Sequence, residues 1–263
     1  MIYDIQKASI LKRFSAALLD FFLIVILAVG VMWLMAWATG ISKYSDTFQT
    51  YRKQYEEEYK VDFDVFADDY EKLSEEKQTM GTAEEYKENY EKAYKALFAV
   101  PEVVKASKML YALPLLIITI GILIPALVFE FVIPLCLKNG RTVGKRVFNL
   151  GVVFKNSVKI SNFALFVRAV LGKYTIEMMV PAMLLLMVFY YNVMGIVGLV
   201  VLGLLFVMQI VILIATKTNA LIHDVLANTV VVDMQTQMVF DSYDELTQYK
   251  EELHAEEVKK ADY

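Results

Sequence analysis

Three long apolar blocks constrain this chain more than any other feature, because a bilayer core is crossed by about 20 apolar residues in helical form. The first block runs from Phe14 to about Ala38, the second from about Met109 to Leu137, and the third from Met178 to Ala215. The third is 38 residues long. As one helix it would rise about 57 Å at 1.5 Å per residue, nearly twice the hydrocarbon thickness. It therefore divides into two spans, with the break between Tyr190 and Gly195, where aromatic residues suit an interface and Asn192 and Gly195 suit a tight turn. Four membrane helices result. The hydrophobic share of 57% and mean hydropathy of +0.46 agree, since soluble domains hold about 45–50% apolar residues.

The first block has features of a secretory signal peptide, with Lys7, Lys12 and Arg13 ahead of it and Ala36, Trp37 and Ala38 near its end. It exceeds the apolar region of such a peptide, about 7–15 residues, and it carries Asp20, so it reads as an uncleaved span. The second block contains Pro114, Pro125, Pro134 and Glu130, and a kink is expected there. A lone Cys136 leaves no internal disulfide framework and no cysteine-based metal cage.

Lys and Arg near span ends set orientation. Between Leu137 and Glu177 there are eight basic residues and no Asp or Glu, which predicts a cytoplasmic loop. An even number of spans then places both termini in the cytoplasm, in agreement with Lys7, Lys12 and Arg13. A plasma membrane location is expected. Residues 39–108 fall outside and carry sixteen acidic and eleven basic residues. Their tyrosines recur at helical spacing (Tyr51, Tyr55, Tyr59; Tyr86, Tyr90, Tyr94), with Gly81 and Pro101 as breakers. They read as amphipathic helices packed on one another. A ligand-reading tyrosine stripe is the alternative.

The expected fold is an all-α polytopic membrane protein. Residues 1–38 are a cytoplasmic N-terminus and the first span, 39–108 a helical extracytoplasmic insertion, and 109–137 the second span. Residues 138–173 form a basic cytoplasmic β-hairpin followed by an interfacial amphipathic helix, 174–216 the third and fourth spans, and 217–263 a His-Asp segment and an acidic tail.

Chemistry is sought first in the basic loop. Asn139 to Arg146 invites comparison with a phosphate-binding P-loop, which needs G-x-x-x-x-G-K-[ST] between a strand and a helix. Gly140 and Gly144 are one residue too close, Arg146 replaces the hydroxyl, and a membrane helix precedes them. Val147 to Phe154 and Val158 to Ile160 read instead as a short hairpin around Lys155, Asn156 and Ser157. Ser161 then caps the amphipathic helix. His223 and Asp224 open a short turn or helix leading into the strand-like run from Thr229. As neighbours on a helix they do not face one another, and no Ser or Cys nucleophile accompanies them. No catalytic residue, metal site, cofactor or nucleic-acid surface is assigned, and no enzymatic activity is expected.

Ionisable side chains inside spans mark function or pairing. Asp20, Glu130 and Gln209 each lie about seven residues from the cytoplasmic end of their span, or roughly 10 Å deep at 1.5 Å per residue. They are expected to share one polar layer, with Glu177 nearer the surface and Arg13 reaching inward on the face of Asp20. Arg168, Lys145 and the His223-Asp224 turn are expected to close the layer.

Four motifs in order resemble the RDD family of membrane proteins. They are Arg13-x-x-Ala16-x-x-x-Asp20; Gly140, Thr142, Gly144 and Lys145, with Val143 where proline is common; Arg168; and His223, Asp224, Ala227, Thr229 and Val231. The resemblance covers both membrane regions and leaves out the outer module and the acidic tail. It implies that the signature arginine and two aspartates are Arg13, Asp20 and Asp224. It also implies that transport of an unidentified solute is the usual suggestion for function.

Two readings remain open. In one, Asp20 and Glu130 bind a cation or exchange protons during transport of a cation or other small solute. In the other, Arg13, Asp20, Arg168 and Asp224 form a structural network and the protein is a membrane adaptor. Its partners, a second copy included, would dock on the outer module or the acidic tail.

Overall fold

The computed structural model describes residues 4–70 and 82–261. Four helices among them are long and apolar enough to cross a membrane: α1 (Ile10–Thr39), α4 (Pro101–Leu137), α6 (Asn162–Phe189) and α7 (Gly195–Ala215). The remaining helices are α2 (Ile41–Tyr59), α3 (Ala83–Ala99), α5 (Val143–Val147), α8 (Ile222–Leu226) and α9 (Tyr243–Ala261). Two strands, β1 (Leu150–Phe154) and β2 (Thr229–Asp233), complete the described elements. The chain divides into two compact units, Met1–Val31 with Thr119–Tyr263, and Met32–Ile118.

In the first unit, α1 begins where the Ser9 hydroxyl accepts the Lys12 N–H at 3.3 Å, an N-cap interaction. Its buried residues are Ala16, Asp20, Ile24 and Ala28, one every four positions and hence one narrow stripe. Phe14, Phe21, Phe22, Ile26 and Val29 are exposed, as a lipid-facing surface requires. Asp20 therefore occupies the face that packs on protein.

The second span changes from α- to π-helical over Val128–Val132, three residues after Pro125. A proline lacks the N–H for the regular ladder, and membrane helices absorb this by local π adjustments. Ser161 caps α6 by accepting the Ala164 N–H at 3.2 Å, as expected. The helix then runs into the third span without a break at residue 173. Over Val167–Met179 it is π-helical. The expected break between the last two spans lies at Tyr190 to Gly195, with Asn192 at φ 52° and Gly195 at φ 47°.

The turn after β1 forms, with Phe154 N–H donating to Val158 O at 2.8 Å. The extended partner of β1 is β2, antiparallel, with Val152 opposite Val231 and Val153 opposite Val230. The pairing of β1 with residues 158–160 is thus limited to a single bridge between Val153 and Lys159. Alternation gives the ribbon two buried faces. Leu150, Val152 and Val231 join Ala8, Ala16, Ala164 and Leu165, while Val153, Val230 and Val232 meet Ile5, Met234 and Val239. At the start of the acidic tail, Leu246 is buried and Tyr249 packs on Phe240, with ring centroids 5.4 Å apart.

In the second unit, Gly40 at φ 63° separates α1 from α2. Thr82 and Glu85 form a capping box at the start of α3. Val61, Tyr86 and Ala93 form a core with Tyr59, Phe63, Tyr70 and Tyr90 around it. The Tyr86 hydroxyl donates to Asp62 O at 3.1 Å. Much of the tyrosine periodicity therefore serves helix packing. The breaker expected at Gly81 lies outside the described residues. Pro101 opens α4, whose first two turns belong to the segment read from sequence as part of the insertion.

Candidate functional site

The first unit gathers its buried charges around α8 and α5. Asp224, on α8, is fully buried. One carboxylate oxygen accepts from Arg13 Nη2 at 3.0 Å and from the Leu221 N–H at 3.2 Å, and the other accepts from Arg168 Nη1. Arg13 also donates through Nη1 to the carbonyls of Thr218, at 3.2 Å, and Asn219. Arg168 Nη1 donates to Thr229 Oγ1 at 2.9 Å. Burial alone would raise the Asp224 carboxyl, but Arg168, His223 and Arg13 outweigh it and hold it below the usual carboxylate range.

Asp20 has different partners. Its carboxylate accepts the Gly144 N–H at 2.7 Å and the Thr142 hydroxyl, both at the start of α5. Thr142 caps that helix by accepting the Lys145 N–H at 3.3 Å. Gly144 makes the approach sterically feasible. A Cβ at that position would lie 2.2 Å from the Ala16 carbonyl oxygen and 3.0 Å from Asp20 Cγ, so the glycine is required by contact with α1. Gly140 is required by its turn, at φ 58°, and by Val152, whose Cβ would be 2.9 Å away.

Two further pairs join the spans. Lys173 of α6 donates to Glu130 of α4. Glu177 of α6 accepts from His223 Nδ1 at 2.7 Å and hydrogen-bonds Gln209 of α7. The Gln209 side-chain oxygen accepts the Ile222 N–H at 3.3 Å. Burial pushes His223 below its ordinary value, so it is a neutral imidazole near pH 7 that donates Nδ1–H to Glu177.

The expected polar layer is thus resolved into separate bonding groups. Asp20 goes to α5, Glu130 to Lys173, and Gln209 to Glu177 and α8. Arg13 passes Asp20 by and bonds Asp224, because α8 delivers a carboxylate to the entrance of α1. Arg168, His223, Thr229 and Asp224 converge as a network. Lys173 was counted from sequence only as a basic loop residue. The signal available was its spacing of five from Arg168, the i→i+5 hydrogen-bond interval of a π-helix, and both side chains line the same cavity.

A cavity of about 250 Å³ lies beside these groups, lined by Arg13, Asp20, Lys145, Arg168, Lys173 and His223 and by apolar side chains of α1, β1 and α7. Lys145 is only 7% exposed. Its Nζ reaches the Thr142 hydroxyl at 3.4 Å, and among the described residues no carboxylate pairs with it. Burial, together with Lys173 and Arg168, lowers Lys145 to about 7 against the pull of Glu130 and Asp20. No cluster of three or more His, Cys, Asp or Glu able to hold a metal occurs among the described residues.

The model of the RDD family matches residues 7–228. That range includes Arg13, Asp20, Gly140, Thr142, Gly144, Lys145, Arg168, His223 and Asp224. It also spans the segment between α1 and α4, and it stops before β2 and the acidic tail. No curated protein and no solved structure matches the chain.

Proposed function

The chain belongs to the RDD family of integral membrane proteins, and from that premise we propose that it carries a small charged solute across the bilayer through the cavity beside Asp20. The observation that supports this reading is the cavity of about 250 Å³, lined by Arg13, Asp20, Lys145, Arg168 and Lys173, in a unit built on membrane helices. A buried lysine with no carboxylate partner among the described residues, as Lys145 is, is costly to keep. Its retention is explained if an ion enters. The acids expected to take a cation or proton are each engaged already, Asp20 by α5 and Glu130 by Lys173. In this reading they hold the site together.

The protein is proposed to be non-enzymatic and to sit in the plasma membrane with both termini in the cytoplasm, as the basic segment from Lys138 to Lys173 supports. The test is flux of protons, cations and small anions in proteoliposomes, with Asp20→Asn, Glu130→Gln and Lys145→Met beside the wild type. Flux abolished by Lys145→Met in folded protein supports the proposal. Absence of every flux from folded wild type sinks it.

A second reading rests on Asp224, clamped between Arg13 and Arg168. In it the network only fixes helix registry, and the protein is a scaffold whose partners, or a second copy, bind the segment between α1 and α4 or the acidic tail.

A further inference from the structure

We propose that the cavity bounded by Lys145, Arg168 and Lys173 binds one tetrahedral oxyanion group, the phosphate or sulfate of a small solute or the phosphodiester of a lipid headgroup. This deepens the reading of the cavity as a solute site but does not depend on translocation.

The argument begins with charge. Among the described residues four cations line the cavity, and the sole anion in its lining is Asp20, whose carboxylate already accepts from Thr142 and Gly144. The other nearby acids are also committed, Asp224 to two arginines and Glu130 to Lys173. A cation entering would meet like charges. An anion would meet donors in reserve. Arg168 uses Nη1 in its bonds to Asp224 and Thr229, and among the described residues Nη2 and Nε have no acceptor. Lys145 offers three donors and makes one long bond, 3.4 Å, to Thr142.

Size limits the ligand. At about 250 Å³ the cavity is below the usual range of about 300–1,000 Å³ for small-molecule pockets, which suits a single oxyanion group. Part of the wall is formed by Ile10 and Phe14, 54% and 64% exposed, so a headgroup could seat there while its chains stay along α1.

Protonation follows. The charged groups facing Lys145 are Asp20 from α1, Glu130 from α4, and Arg168 and Lys173 from α6. Burial and the two cations bring it down to about 7, so an arriving anion supplies missing countercharge and is held best below that pH.

The test uses the full chain in neutral detergent, with inorganic sulfate as a probe whose charge is constant from pH 5 to 9. Wild type is expected to bind sulfate saturably, with affinity falling about tenfold per pH unit above 7. Lys145→Met is expected to lose at least tenfold. Replacing a buried charge with an apolar side chain of similar volume is often tolerated, and size-exclusion elution checks that it is here. Lys145→Arg, permanently charged, is expected to keep binding with no fall to pH 9. In parallel, native mass spectrometry from phosphatidylglycerol nanodiscs assays the lipid source. Phosphatidylglycerol retained by wild type but lost from Lys145→Met identifies a headgroup, and sulfate binding without that difference identifies a free solute. Failure of wild type to bind either probe overturns the proposal, as does binding of both within twofold by Lys145→Met. Anion binding without flux would remove the transport reading and leave this inference standing, and cation flux indifferent to Lys145→Met without anion binding would do the reverse.

Discussion

The Asp20 carboxylate accepts the backbone N–H of Gly144 at 2.7 Å across 124 residues of sequence, tying the first span to the five-residue helix after the second. A carboxylate that satisfies a backbone donor and a hydroxyl at one helix start is a structural joint as well as a wall of the cavity. Asp20→Ala should leave the Thr142 hydroxyl and the Gly144 N–H without this acceptor, at about 1–3 kcal/mol for each. Asp20→Asn, which keeps one acceptor oxygen, should cost less. Thermal unfolding in a fixed detergent ranks the two, and equal loss in both would contradict the joint.

Glycine sensitivity should follow contact and not helix propensity. Gly144→Ala puts a Cβ 2.2 Å from the Ala16 carbonyl oxygen, and Gly172→Ala puts one 2.4 Å from His223 Cβ. Both should lower stability by about 1–3 kcal/mol or more, the cost of overpacking. Gly203→Ala, where nothing lies within 4 Å, should be neutral or mildly stabilising. Melting temperatures of the three variants decide the matter.

Asp224→Ala should be the most damaging single change in the network. It strands Arg13 and Arg168 beside each other in a buried site, and breaking a buried pair costs about 3–5 kcal/mol. Asp224→Leu combined with Arg168→Met removes one of the stranded charges and should recover part of the loss. A double variant as unstable as the sum of its singles would show that the two residues are not coupled.

Stability should rise with pH in two windows. Lys145 falls from its ordinary 10.5 to about 7 on folding, so between those values the unfolded chain holds a proton that the folded one lacks, and raising pH favours folding. Below about 7 this contribution is gone and the dependence flattens. His223 is also lowered, by burial first. Its neutral form therefore stabilises the fold above an unfolded value of about 6.5, and that stability is lost as pH falls through the folded value. Asp224, held below the usual carboxylate range, should add no slope between pH 5 and 8. Unfolding followed from pH 5 to 10 should show both windows, with the upper one absent in Lys145→Met.

The four spans, the turn between the last two, the Ser161 cap and the strand at Thr229 to Asp233 were legible in the sequence. Each is written in local signals: apolar length, turn residues, capping hydroxyls and β-branched runs. Membership of the family was legible too, from the motifs that carry Arg13, Asp20, Arg168 and Asp224. What these residues bond to was not. Arg13 and Asp20 share a helix, but one turns to α8 and the other to α5 because segments more than a hundred residues away supply better-placed groups. The strand from Leu150 pairs with Thr229 to Asp233 more than with its own hairpin, since that pairing buries both ribbon faces. The π-helical stretches around Glu130, Arg168 and Lys173 also escape a reading made at a period of 3.6. Hydrophobic length is a property of a segment and survives without context. Charge pairing and cavity shape are properties of several segments brought together, and only the tertiary structure decided them.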